Sequence, residues 1–527
     1  MSCRFITSPA HWAGFAAAVA AVGLAVCPAD EPAILRAAAS AFTVMPPGGD
    51  SLATLGLTGA AAQRVVEPLE TVVFLMESAG RRHVLVTTHF STVLHVNAST
   101  ELRRIAAAAT GAPAERVWIF SSHNHSDLLL ATNGLEIFQL QAPEPPPIAW
   151  NPVGERFVTG LRETAAQLPD RLVPVTVHHT VATEDRLTYN RKGRRADGST
   201  YFMREEDRLV VAADYRGDVD TQAPLVVFKD EAGRAVAALA QFTGHPVTSY
   251  NPERPVVHGD WPQTACRVVA AALTGREAAG RGPAGRLVPV GFLQGCAGDV
   301  NSKGMFAPDG PARAEEFGRM LGGRLVESIP RLVASRRGGG DLVVTRVPVP
   351  LGPLPPRPEI VAELAEIDGF LRRAAADDPD TLTCVGLNFP RMLSPAYRGK
   401  LVAAVRPWYD WALEQHATGR ADTLPRSLDV EVVSIRLGDV GIVGFPCEPF
   451  QGIGRLARAT STLPLTIACG YANFTHGYIP DGPNVGDRDY MSSFHRYTRF
   501  RPPFARPAGD AMALRGVEAL ERMTRGE

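Results

Sequence analysis

The chain has 527 residues, 45% of them hydrophobic and 21% charged, which are ordinary proportions for a globular protein. Lys and Arg total 54 against 55 for Asp and Glu, so there is no basic excess, which argues against nucleic acid as a partner. The seven cysteines are scattered and form no Cys-x-x-Cys pair. The composition therefore excludes a disulfide framework and a Cys-rich zinc finger, and His and carboxylate ligands would have to hold any zinc.

Residues 1–39 are predicted to be an N-terminal extension. Ala13–Val26 is an apolar run that is too short to span a membrane, so no integral membrane span is expected. Cys27-Pro28-Ala29 could end a secretory signal. The alternative is a packed helix in which Ser8 caps and Pro9 takes the first position. This helix, and with it a cytoplasmic location, is favoured because the charged segment before the run is weak and no Ala-x-Ala site follows it.

From about residue 40 the pattern is that of a mixed α/β protein. The predicted strands before residue 334 are Thr71–Met76, His83–Thr88, Val117–Phe120, Leu209–Ala213, Leu225–Lys229, Ala235–Phe242 and Leu287–Leu293. The predicted helices there are Ser99–Thr110, Gly154–Gln167, Pro262–Thr274 and Ala312–Val333, and a loop at Gln141–Pro147 with four prolines separates the first unit from the second.

In the second half, a strand is predicted between Gly338–Gly340 and Pro348–Pro358, and Val430–Leu437 with Val440–Phe445 is predicted to form a hairpin. The predicted helices are Ile360–Ala375, Tyr397–Ala417, Gln451–Thr460 and Asp510–Thr524. Strands occur along the whole length without repeats or a long linker. The sequence therefore predicts an α/β fold with a large mixed β-sheet core flanked by helices, forming one domain over residues 40–527.

Polar residues with metal-binding chemistry follow three of the predicted strands. His123 and His125 come after Val117–Phe120, His245 after Ala235–Phe242, and Glu448 after Val440–Phe445. Two His at i and i+2 of an extended segment point to the same side, and imidazole and carboxylate both suit zinc. Each motif alone has a structural alternative: hydrogen-bonded loop histidines, a turn residue before proline, or an acid at a helix start.

Five segments in this order resemble motifs of the catalytic domain of the neutral (non-lysosomal) ceramidase family. They are His123-Asn124-His125-Ser126, Gly244-His245-Pro246, Phe292–Asn301, Gly444–Phe450 and Tyr471–Tyr478. The resemblance runs from about residue 40 almost to the end of the sequence. It implies a ceramidase-like fold and a zinc-dependent hydrolase that cleaves the amide bond of a small-molecule or lipid-like substrate.

The resemblance also implies roles for individual residues. His123, His245, Glu448 and Tyr478 would hold Zn²⁺, and His125 would shuttle a proton beside it. Tyr490 falls where the family has a tyrosine that stabilises the developing oxyanion. Asp260 would be an acid behind the metal ligands, although a helix N-cap explains it equally well.

Three departures from the family pattern keep other functions open. Asn301 stands where the family has its active-site serine, and Asp127–Leu130 replaces the expected Gly-Pro-Gly stretch. We also expect no counterpart of the family's C-terminal sandwich domain. A family member acting on a different small molecule, for example in secondary metabolism, is therefore the second hypothesis. A non-catalytic binding protein is the third, and the retention of all four ligand types argues against it.

Overall fold

The computed structural model describes residues 34–46, 61–91, 96–132, 147–212, 214–275, 287–497 and 500–526. The predicted N-terminal helix or secretory signal lies outside the described residues, as do residues 141–146 of the Pro-rich loop. The first described strand begins at Leu35, inside the segment predicted to be an extension. None of the helices in the described ranges is both long enough and apolar enough to cross a membrane.

Twenty-three strands are described, many of only two or three residues. Those of the first half are β1 Leu35–Val44, β2 Arg64–Val65, β3 Leu69–Ser78, β4 Arg81–Thr88, β5 Val117–Ser121, β6 Val173–Thr183, β7 Thr188–Asn190, β8 Lys192–Arg194, β9 Thr200–Phe202, β10 Gln222–Lys229, β11 Ala235–Phe242 and β12 Val256–Val257. Those that follow are β13 Val290–Gln294, β14 Val300–Ser302, β15 Val333–Ala334, β16 Gly340–Pro350, β17 Thr383–Cys384, β18 Leu387–Asn388, β19 Ser427–Leu437, β20 Val440–Gly444, β21 Glu448–Pro449, β22 Leu465–Cys469 and β23 Tyr478–Ile479.

Ten α-helices are described among these strands. They are α1 Val96–Thr110, α2 Pro152–Ala166, α3 Glu205–Val211, α4 Asp260–Thr274, α5 Gly310–Ser328, α6 Arg357–Ala375, α7 Pro395–Ala403, α8 Arg406–Ala417, α9 Gln451–Thr460 and α10 Asp510–Arg525.

The larger of the two main sheets has nine strands. Its order is β13-β11-β10-β6-β1-β3-β4-β5, and β15 pairs with β6. The pairs β4–β5 and β11–β13 are parallel, and the others are antiparallel. The sheet is therefore mixed, as the sequence predicted.

The second sheet, in the order β16-β19-β20-β22, packs its inner face on the first. Phe74 and Leu293 of the large sheet share one buried cluster with Val433, Ile442 and Ile467 of the small one. Helices contact the strands of the large sheet (α2 with β1, α4 with β11 and β13, α5 with β6) and of the small sheet (α9 with β22, α10 with β19). The result is two stacked sheets between layers of helices, which confirms the predicted α/β class.

The helices α6, α7 and α8 form a separate layer between β16 and β19 in the chain. Their apolar faces pack into one buried cluster with Phe450, Tyr478 and Phe494, and Tyr490 packs against that cluster. These aromatic residues follow the end of β20. The helical layer therefore supports the segments that carry the candidate site.

Two local predictions were wrong for identifiable reasons. Leu209–Ala213 was predicted to be a strand, but Leu209 to Val211 end the helix α3, whose first turn carries three acids and whose Val210 is 88% exposed. Three consecutive apolar residues resemble a strand, yet here they do not pack in a sheet. Tyr397–Ala417 was predicted as one helix, and it is two, because Pro407 starts a new helix at α8.

Candidate metal centre

The candidate site lies where strands of both sheets end. His123 and His125 follow β5, and His245 follows β11, all in the large sheet. Glu448 follows β20 of the small sheet. The last residues of all three strands are buried, and the polar residues follow directly after these buried strand ends. The stacking of the two sheets brings these three chain segments together.

Gln294, the last residue of β13, connects two of these segments. Its Nε2 donates to the carbonyl oxygen of Ser122 at 2.9 Å and to that of Gly244 at 2.7 Å. Ser122 and Gly244 immediately precede His123 and His245. One buried amide therefore fixes the relative positions of the two histidines.

Four predicted residues bring their polar atoms to one point. Oε2 of Glu448 lies 3.1 Å from Nε2 of His123 and 3.1 Å from Nε2 of His245. The hydroxyl oxygen of Tyr478 is 3.3 Å from Nε2 of His245. Nε2 of His125 lies 3.2 Å from Nε2 of His123. The first four side chains are all buried, at most 4% exposed.

The second ring nitrogen of each histidine identifies the tautomer. Nδ1 of His123 is 3.0 Å from the carbonyl oxygen of Ser91, and Nδ1 of His245 is 2.7 Å from that of Ala297. A carbonyl only accepts, so Nδ1 carries the proton in both rings. Burial and a neighbouring guanidinium lower the pKa of His245 to about 3, so the ring is neutral at pH 7. The Nε2 lone pair of His245 therefore faces the carboxylate of Glu448, and Nε2 of His123 lies at the same distance from that carboxylate.

Lone pairs and carboxylate oxygens that converge in a buried space need a positive charge or hydrogen-bond donors beside them. The guanidinium of Arg191 supplies one donor, 3.2 Å from Nε2 of His245, and a metal ion between the ligand atoms would supply the rest. His123, His125 and His245 offer nitrogen atoms within 4.8 Å of one another, and this cluster could hold a metal ion. Bonds of about 2.0–2.1 Å to a tetrahedral ion place its ligand atoms about 3.3–3.4 Å apart. The observed separations of 3.1 to 3.3 Å around Glu448 and Tyr478 fit such an ion.

Tyr478 reaches the site through a short pair of strands. β21 and β23 run parallel, and Glu448 and Tyr478 are partners in their register. The ring of Tyr478 stacks on that of His245 with centroids 6.1 Å apart. Burial raises the pKa of Tyr478 well above its ordinary value, so its hydroxyl keeps its proton unless a cation lowers that pKa.

Arg191, which the sequence reasoning missed, lies at the floor of the site and is only 4% exposed. It donates to the Tyr478 hydroxyl at 2.7 Å, to Oδ1 of Asn301 at 3.0 Å and to the carbonyl of Gly298 at 2.8 Å. Its guanidinium also lies 5.3 Å from the centre of the Tyr478 ring. The only local signal was the polar run Asn190–Lys192, in which Arg191 alone separates the short strands β7 and β8, and such a run does not reveal burial.

His125 lies beside the four converging side chains. Its ring centroid is 5.4 Å from that of Tyr250. Its Nδ1 is buried and has no hydrogen-bond partner in the described ranges. Burial and the neighbouring imidazoles hold its pKa well below the ordinary value, so the ring is a neutral base.

Asn301 and Tyr490 border the same space. Asn301 is fully buried on β14, forms an isolated parallel bridge with His245, and accepts the hydrogen bond from Arg191. The ring of Tyr490 meets that of Tyr478 edge-on, with centroids 5.5 Å apart. Both residues are therefore neighbours of the candidate ligands rather than part of the converging group.

Asp260 takes the first position of α4 with a positive φ of 53°. Its Oδ2 accepts from the backbone N–H of Ser249 at 2.8 Å and from its hydroxyl at 2.6 Å, and Oδ1 accepts from the N–H of Trp261 at 2.7 Å. The Ser249 hydroxyl is also 3.0 Å from that of Ser126. Asp260 thus joins the loop after His245 to the loop after His125.

The fold is similar to that of two solved structures over 93% of the chain. Neither a protein-family model nor a curated protein sequence matches the chain. Among solved structures, a ceramidase complexed with C2 matches with a TM-score of 0.57 and 17% sequence identity, over 93% of this chain and 76% of that one. The chain has a neutral-ceramidase-like fold. A second match, the neutral ceramidase from Pseudomonas aeruginosa, gives a TM-score of 0.55 and 18% identity, over 93% of this chain and 75% of that one. The fold implied by the sequence motifs is confirmed.

Proposed function

We propose that the protein is a zinc-dependent hydrolase that cleaves the amide bond of an N-acyl substrate. The convergence of His123, His245, Glu448 and Tyr478 on one buried point carries the proposal. The likeness in fold to two ceramidase structures supports the choice of an amide substrate. When bound there, zinc would polarise the substrate carbonyl and lower the pKa of a water molecule.

The remaining side chains supply proton transfer and positioning. His125 is a neutral imidazole beside the ligands, so it can take a proton from water and deliver it to the departing amine. Arg191 holds the Tyr478 hydroxyl in place. Asp260 fixes the two loops that carry His125 and His245, which makes it a positioning residue.

Tyr490 and Asn301 are the proposed donors to the substrate oxygen. Arg191 can only donate, so its hydrogen bond requires the oxygen of the Asn301 amide to face it, and Nδ2 faces the other way. An amide is not a nucleophile, so Asn301 stabilises charge rather than attacking the carbonyl. The phenol of Tyr490 would donate in the same way as charge develops.

Metal analysis of the purified protein tests the proposed centre. We expect about one zinc per chain in the wild type and loss of most of it in His245→Ala. His178→Ala is the matched control, because that histidine lies on β6, is only partly buried and bonds to the hydroxyl of Thr176 rather than to a candidate ligand. Wild-type protein that purifies without zinc and cannot be reloaded would refute the proposal, provided that it is folded.

Activity is tested by release of carboxylic acid from a panel of N-acyl amines and amino-acid amides. We expect zinc-dependent hydrolysis of at least one N-acyl amine, abolished in His245→Ala and retained in His178→Ala. Asn301 in place of a nucleophile favours the second hypothesis, which is a different small-molecule reaction at the same centre. The substrate panel therefore extends beyond lipids. A zinc-loaded protein that converts none of these substrates would refute amide hydrolysis while leaving the metal centre intact.

A further inference from the structure

A cavity of about 320 Å³ lies between α3 and the turn at residues 303–307. Its size falls at the lower end of the range of small-molecule sites, roughly 300–1,000 Å³. The apolar part of its wall consists of Phe202, Leu209, Met305, Phe306, Pro390 and Met392. None of these residues takes part in the chemistry proposed above.

The cavity shares two walls with the candidate metal centre. Sδ of Met305 is 3.6 Å from Nδ2 of Asn301. The ring of Phe202 lies 5.5 Å from the guanidinium of Arg191 and 6.2 Å from the ring of Tyr490. The inner end of the cavity is therefore formed by residues that contact the site.

The charged residues around the cavity have opposite charges beside them. Arg204 pairs with Asp207 and with Glu206, each at 2.6 Å. Glu205 pairs with Arg208 at 2.5 Å, and Arg313 pairs with Asp309 at 3.2 Å. The wall thus presents no uncompensated charge to a ligand, and a neutral apolar chain fits this environment better than an ion does.

We propose that this cavity binds the acyl chain of the substrate, an inference that rests on the proposed amide hydrolysis. Nδ2 of Asn301 points toward Met305, whose thioether is a flexible group and a weak acceptor. A substrate carbonyl oxygen is a stronger acceptor and displaces it. A chain that continues from that carbonyl then enters the cavity, and the amine portion stays outside.

Filling the cavity tests this assignment. Leu209, which is 51% exposed, lines the cavity, whereas the adjacent Val210, which is 88% exposed, does not. Leu209→Trp places an indole in the space of several methylene groups, while Val210→Trp adds the same group to the surface. We expect the affinity of the zinc-loaded enzyme for dodecanoate, measured by equilibrium dialysis, to fall about tenfold or more in Leu209→Trp and to be unchanged in Val210→Trp. Circular dichroism of both variants confirms that each is folded.

Hydrolysis of acetyl, octanoyl and hexadecanoyl amides of one amine separates this inference from the proposed function. We expect Leu209→Trp to slow cleavage of the octanoyl and hexadecanoyl amides more than that of the acetyl amide, and Val210→Trp to leave the cleavage of all three unchanged. Unaltered octanoyl cleavage in folded Leu209→Trp would overturn the cavity assignment and leave amide hydrolysis standing. The protein could instead cleave no amide and still bind dodecanoate more weakly in Leu209→Trp but not in Val210→Trp. That result would refute the proposed amide hydrolysis and support the cavity assignment. Equal losses in both tryptophan variants would also overturn the cavity assignment.

Discussion

Gln294 provides the strictest test of how the scaffold positions the candidate ligands. Gln294→Leu keeps the approximate volume of a fully buried side chain and removes its polar atoms. The substitution deletes the two bonds from Nε2, at 2.9 and 2.7 Å, and the bond that Oε1 accepts from the N–H of Gly295 at 3.0 Å. The carbonyls of Ser122 and Gly244 then lose their donor, whereas the N–H of Gly295 keeps its bond of 2.9 Å to the carbonyl of Phe242.

The expected cost follows from these two carbonyls. Leaving one buried polar group unsatisfied costs about 1–3 kcal/mol, so we expect the free energy of unfolding to fall by about 2 kcal/mol or more. Because Ser122 and Gly244 adjoin His123 and His245, the affinity for zinc should fall as well, by about 10- to 100-fold as for other residues that orient ligands.

Denaturant unfolding measures the first effect, and competition with a chromophoric chelator measures the second. Gln241→Leu is the matched control, since Gln241 is equally buried on β11 but donates one long bond of 3.3 Å to Thr243. A Gln294→Leu protein that is destabilised but binds zinc as tightly as the wild type would refute the idea that this amide sets the ligand geometry.

Three further outcomes are expected. Tyr490→Phe should lower kcat about 10²- to 10³-fold with unchanged zinc content and little change in KM, because it removes one donor to the developing charge; a larger effect on KM would argue against that role. Burial lowers the pKa of His89 to about 3. Below pH 6.5 the unfolded chain therefore binds a proton at this residue that the folded chain does not, and the free energy of unfolding should fall as the pH drops from 6.5 toward 4. In the metal-free protein, His89→Gln should reduce that slope by up to about 1.4 kcal/mol per pH unit, and an unchanged slope would contradict the assignment. Gly298→Ala should reduce zinc binding because its Cβ would lie 2.6 Å from the carbonyl of Glu448, whereas Gly323→Ala meets nothing within 4 Å and should bind zinc normally.

Local patterns predicted the strands that carry the site, since β5, β11 and β20 are largely buried runs dominated by apolar residues. The polar residues after these strands identified His123, His245 and Glu448 as candidates without showing that their side chains lie close together. Their proximity depends on the stacking of the two sheets, which no local pattern encodes. The expectation of one shared centre came from the resemblance to the ceramidase family. Tyr478 depends on a two-residue strand pairing and could not be predicted from periodicity.

Other features were missed because their cause is not local. Arg191 is buried by residues far along the chain, including Asn301 and Tyr478. The strand β6 alternates buried and half-exposed residues and contains two histidines, which weakened its apolar pattern. The apolar end of α3 was predicted as a strand because short apolar runs are usually buried in a sheet. Val210 is exposed instead.

The position of the candidate ligands on two different sheets has a thermodynamic consequence. His123 and His245 follow strands of the large sheet, whereas Glu448 and Tyr478 follow strands of the small one. An ion held by all four would cross-link the sheets, so its binding and the closure of the interface between them form one linked equilibrium. A core substitution between the sheets, such as one at Phe74 or Ile442, would then be measured as a change in metal affinity even though neither residue is a candidate ligand.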